Sequence, residues 1–240
     1  MLIFLNTLLF IAPVFILYIT SRILTSMMLE FFAHGFQNRK LAVWLYSLLF
    51  LPGIILHEAS HVFVALALFV RVGDISFFPR LEKIDNKEEI QLGYAQIAQS
   101  DVFRASAIGV APLLLGFLLL GFGSRYVFGE FVSWKSILNT VLSWRGIVAV
   151  YGGLSISQLM WTSKSDRQEW FTALVLLISV GICIYFLFGL PTISFTLPSV
   201  LSRWMITLFT STIHGAWFVA GINTVMIVVI SLLFRKRSYR

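Results

Sequence analysis

Residues 41–70 read LAVWLYSLLFLPGIILHEASHVFVALALFV. A bilayer core about 30 Å thick is crossed by about 20 mostly apolar residues in a helix, so this stretch is long enough to be a membrane span. Two features interrupt it: Pro52-Gly53, and the polar group His57, Glu58 and His61. Ionisable side chains inside a membrane helix are costly and mark function. These three spell His57-Glu58-Ala59-Ser60-His61, an H-E-x-x-H. On a helix the two histidines stand one turn apart on one face, where their ring nitrogens converge on one metal. Glu58, about 100° around, borders that face and reaches a bound water without being a ligand. Zinc suits two imidazoles plus a carboxylate, and it lowers the pKa of water in the fourth position. The structural alternative is a histidine pair bonded to neighbouring carbonyls. Pro52-Gly53, one turn before His57, predicts a kink or a loosened helix. The motif precedes Arg71 by about 15–21 Å of helix rise, which places it within the membrane.

The rest of the chain is consistent with that setting. Of 240 residues, 58% are hydrophobic and 12% charged, with a mean hydropathy of +0.89. A soluble chain carries about 25% charged residues, so a soluble enzyme, a disordered chain and a nucleic-acid-binding domain are excluded. The net charge is +7, and four of the 18 Lys and Arg sit in the tail Arg235 to Arg240, a pattern that suits a cytoplasmic membrane face. The single cysteine, Cys183, lies in an apolar run, so neither a disulfide framework nor a C-x-x-C site is expected.

Six stretches qualify as spans: Leu2 to Thr20, Leu41 to Val70, Ala105 to Gly123, Ile137 to Trp161, Phe171 to Leu190 and Trp204 to Phe234. The first has no basic residue before it and no cleavage site after it, and reads as a retained anchor. Between the first two, Ser21 to Lys40 reads as an interfacial stretch. With both termini inside, the inner loops hold Arg71, Arg80, Lys83, Lys87, Arg104, Lys164, Arg167, Arg235, Lys236, Arg237 and Arg240, the larger share of the 18 Lys and Arg. That bias predicts a multi-pass protein of a bacterial-type plasma membrane with both termini cytoplasmic. The expected fold is all-α and polytopic, a single integral membrane domain over 1–240, with a small cytoplasmic-side β-hairpin in the loop 71–104. In that loop Gly73 to Phe78 and Ile90 to Ile97 alternate apolar and polar residues on either side of a charged, Asn-containing turn.

A third metal ligand is needed. Asp166 in Ser163-Lys164-Ser165-Asp166 is the first choice, because it follows the fourth span on the side of the hairpin; Ser163-x-x-Asp166 also suits a helix cap. Asp101 and Asp74, expected at the membrane surface, are weaker alternatives. His214 is a candidate ligand or oxyanion donor, and Asn223 and Asn139 share that ambiguity. Ser157, Gln158, Ser163 and Lys164 are candidates to line a water path.

Taken together, these residues resemble the site-2-protease-like intramembrane zinc metallopeptidases. The resemblance rests on His57 to His61 in a membrane helix, the hairpin after it, Gly109-Val110-Ala111-Pro112-Leu113-Leu114-Leu115-Gly116 in the next span, and a late aspartate. It covers a metallopeptidase-like core over 41–170. The family's usual Leu-Asp-Gly around the aspartate and the Asn-Pro stretch before it are absent, which marks a divergent member. The resemblance implies one Zn2+ per chain held by His57, His61 and Asp166, with Glu58 as general base. It also implies a membrane-protein substrate that adds as a strand to the hairpin segment Ile90 to Gln99. The alternative is a catalytically inactive membrane protein of the same fold that binds a partner or a metal. A carrier needs the histidines but has no need of Glu58.

Overall fold

The computed structural model describes residues 2–84, 87–128, 139–161, 175, 178–179 and 199–237. They are mostly helical: α1 Leu2–Phe36, α2 Arg39–Leu49, α3 Leu51–Ala67, α4 Val102–Phe128, α5 Trp144–Leu159 and α6 Ser199–Arg237. Between α3 and α4 run β1 Val72–Ser76, β2 Arg80–Ile84, β3 Lys87–Gln91 and β4 Tyr94–Ile97. Among the described residues, three helical segments are long and apolar enough to cross a membrane: Ala12–Phe36, Val102–Tyr126 and Arg203–Phe234.

The stretch 41–70 is not one helix. It breaks at Phe50 into α2 and α3, which are bent by 76°. Pro52 sits in the first turn of α3, where its missing N–H has no helical partner to lose, so it starts the helix and does not kink it. Gly53 does not loosen the helix either. A Cβ there would overlap the backbone carbonyl of Ser155, so the glycine lets α3 and α5 touch backbone to backbone. Beyond it, Ile54, Glu58, His61 and Ala65 form a buried stripe at spacings of four and three, while Phe63 and Leu66 face outward. At the far end Phe69 adopts the left-handed region (φ 58°) and Val70 N–H donates to Ala65 O, which stops α3 and turns the chain into β1.

The β-segment is a long hairpin in two parts. β1 pairs antiparallel with β4, and β2 with β3. The charged stretch expected as a turn is therefore mostly ladder, with Lys83 opposite Glu88. Nor does the hairpin hang at the surface. It doubles back along α3, so that Gly93 lies against Ile54 and Glu58, Leu92 packs on the cluster around Tyr46 and Phe50, and Phe78 stacks on Trp44 of α2. A paired ladder can rest against apolar helices because its inner backbone groups are already hydrogen-bonded.

Other expectations need correcting. α1 continues through the stretch read as interfacial, because Ser21, Leu24 and Met28 are buried against α2 and α6. The fourth expected span is interrupted: residues 139–142 are helical, and the helix starts afresh at Trp144, where Ser143 caps α5 by accepting from Gly146 N–H. The fifth, with Cys183, lies outside the described residues apart from Val175, Ile178 and Ser179. α1 and α6 run parallel, with Thr20 and Ser21 beside Asn223, and Phe31 and His34 beside Phe234. The start of α1 and the basic end of α6 therefore lie at opposite ends of the bundle. Tyr18 and Thr25 contact Trp161 and Gln158, so α5 runs against α1, and α3 runs with α5 through Gly53 and His57. The root of the hairpin is thus at the end where α1 starts, away from the basic tail. The charge count had grouped hairpin and tail on one side; with the two apart, it no longer places both termini in the cytoplasm.

Candidate metal centre

The histidine pair is built from three helices. His61, on the buried stripe of α3, points at α4, and its Nδ1 lies 2.8 Å from Ile108 O. His57, one turn earlier, points at α5, with its Nδ1 on Leu159 O. A carbonyl oxygen only accepts, so each Nδ1 carries the proton and donates it. In neutral imidazoles both Nε2 atoms then present lone pairs, and these two face each other at 3.3 Å. The rings are nearly perpendicular, at 83°. Ser60 closes the turn by donating to His57 O at 2.6 Å.

Two lone pairs at that separation repel unless a cation sits between them. Two ligands at about 2.0–2.1 Å from a tetrahedral ion lie about 3.3–3.4 Å apart, so the two Nε2 atoms fit two corners of a zinc site. A proton shared between the rings, with one of them an imidazolium, is the other cation that fits this separation. The backbone carbonyls on Nδ1 are partners of the kind that fix tautomer and ring direction in metal-binding histidines. Among the described residues, no group of three or more His, Cys, Asp or Glu is placed to hold a metal.

Glu58 leaves the same turn and is 7% exposed. A Cβ on Gly93 would stand 2.9 Å from Glu58 Oε1 and 3.0 Å from its Cγ, so the junction of β3 and β4 closes over the carboxyl group. Beside His57, Gly53, Leu56, Pro112, Leu115, Gly116 and Met160 line a small apolar cleft.

The other candidates fall elsewhere. Asp166 lies outside the described residues, as do Ser163 and Lys164. Asp101 caps α4, accepting from Phe103 and Arg104 N–H at 3.1 Å and pairing with the Arg104 side chain. Asp74 is exposed on β1, and Asn139 and His214 are exposed on helical segments. Asn223 is fully buried, donating to Ser21 and Thr20 and accepting from Gln158. Gln158 in turn accepts from Thr25 at 2.7 Å, and Thr25 meets Tyr46. Gln158 and Ser157, read from the sequence as candidates to line a water path, are thus buried between helices.

Sequence reasoning missed Gly93, and it offered carbonyl bonds to the histidines only as the structural alternative to a metal, without naming Ile108 or Leu159. A glycine interrupting the alternation Ile90 to Ile97 was the available signal for Gly93. No protein-family model, characterised protein or solved structure matches the chain.

Proposed function

We propose that the chain is an intramembrane zinc endopeptidase that cleaves a peptide bond of a membrane-protein substrate. The observation that carries this reading is the pair of Nε2 atoms, 3.3 Å apart, with both Nδ1 atoms bonded to carbonyls and a buried glutamate in the same turn. The H-E-x-x-H pattern and the resemblance to site-2 proteases support it. His57 and His61 would hold the metal, with Asp166 as third ligand, in a multi-pass protein of a bacterial-type plasma membrane. Zinc there supplies Lewis acidity that makes water a nucleophile near neutral pH. Glu58 would act as the general base and then the general acid, taking a proton on a carboxylate oxygen and passing it to the nitrogen of the leaving amine. The buried position of the carboxyl group, under Gly93, keeps bulk water from competing for the proton.

A transmembrane substrate hides its peptide bonds in its own helix, so it must be drawn out before attack. Each described ladder is two-stranded, so β3 and β4 each have one edge without a strand partner. Beside Gly93, such an edge suits addition of an extended substrate segment next to Glu58. The Gly93→Ala variant is then expected to keep its zinc while cleavage falls by up to about 10²-fold, because the new methyl displaces the Glu58 carboxyl group. Comparing zinc content and turnover with the parent checks this.

A non-catalytic metal carrier would need the histidines but not a buried carboxylate beside them. Zinc analysis of the detergent-purified protein, with cleavage of a single-span peptide, decides between them. About one zinc per chain and a cut within the apolar stretch support the peptidase. Zinc without cleavage supports the carrier, and no zinc after growth with added zinc overturns both.

A further inference from the structure

The segment Gly109 to Gly116 is part of the resemblance, but the mechanism above gives it no task. It contains Pro112, which lies inside α4 with helix on both sides. In an α-helix the carbonyl of residue 108 accepts from the N–H of residue 112. Proline has no N–H, so the Ile108 carbonyl has no helical donor. Membrane helices tolerate such a gap when a neighbour supplies the missing bond. Here the neighbour is His61 Nδ1–H, 2.8 Å from Ile108 O and buried at 5% exposure.

We infer that Pro112 is a positioning residue: by withholding an N–H it reserves the Ile108 carbonyl for His61, which fixes the Nδ1–H tautomer and turns Nε2 toward His57. The other histidine is served in the same way by different means. Leu159 is the last residue of α5, and the final carbonyls of a helix have no intrahelical donor. Both rings are therefore oriented by carbonyls that lack the regular helical donor, Ile108 O because of Pro112 and Leu159 O because α5 ends there. Any other residue at position 112 would return that donor as a competitor for Ile108 O. The consequence for metal binding rests on the zinc reading; the consequence for the tautomer does not.

The test uses full-length protein in detergent with 15N-labelled histidine. In the metal-free parent, the His61 nitrogen shifts are expected to report protonation at Nδ1. Pro112→Ala is expected to move the population toward the Nε2–H form and, by chelator competition, to raise the zinc dissociation constant about tenfold. Lactic acid at position 112, introduced by nonsense suppression, has the side chain of alanine and an ester oxygen in place of N–H. It is expected to restore the tautomer of the parent and most of its zinc affinity. Two results would overturn the inference: an unchanged His61 tautomer in Pro112→Ala, or identical behaviour of the alanine and lactic acid forms, which would assign the effect to the proline ring. A parent that binds no zinc overturns the metal reading alone, because the tautomer comparison still decides the role of Pro112.

Discussion

Glu58→Gln is expected to lower cleavage of a single-span substrate by about 10²–10⁴-fold while zinc per chain stays at the level of the parent. Glutamine keeps the shape of the side chain and so its fit beneath Gly93 and beside Ile54. What it loses is the ability to take a proton from water. The near-isosteric change separates chemistry from folding, which alanine in this buried position would not. Turnover and zinc content measured on the same preparation decide the matter. A loss of less than tenfold would remove Glu58 from the role of base, and loss of zinc would make it a ligand.

His61→Ala is expected to reduce zinc from about one per chain to nearly none, and cleavage with it. The substitution removes one of two facing Nε2 donors and also the Nδ1–H that meets Ile108 O. His57 alone then offers the ion a single imidazole. Zinc content by elemental analysis, with thermal unfolding in the same detergent as a check on folding, measures the outcome. A folded variant that keeps its zinc would place the metal elsewhere.

The motif helix, the hairpin and the long apolar segments were legible because each depends on local pattern. The partners were not. A membrane helix is apolar all round: Leu48, Phe63 and Leu114 face outward while Ile54 and Leu120 face inward, and hydropathy does not separate them. The contact faces were marked instead by small residues, as at Gly53 against Ser155 and at Gly215, where a Cβ would stand 2.9 Å from Leu120 O. The same blindness made Gln158 a channel residue in prospect and an interhelical bond in fact. Polarity announces that a membrane residue needs a partner, but water, an ion and another amide satisfy it equally. The parallel course of α1 and α6 was equally hidden, because orientation was counted from loops and the two helices meet through side chains more than 200 positions apart, such as Ser21 and Asn223.

The break at Phe50 also shortens the helix that carries the histidines. α3 has 17 residues and α5, which holds His57 from the other side, has 16. At about 1.5 Å per residue each is roughly 25 Å long, several ångströms less than the hydrocarbon thickness of an ordinary bilayer. Lipid around short helices is compressed, at a modest cost for each ångström of mismatch. A membrane dimpled around this pair would bring the headgroup layer toward His57 and His61 from both leaflets. A longer helix that drifted into the dimple would have its ends stripped of hydrocarbon and open to water, and that is where it would begin to unwind.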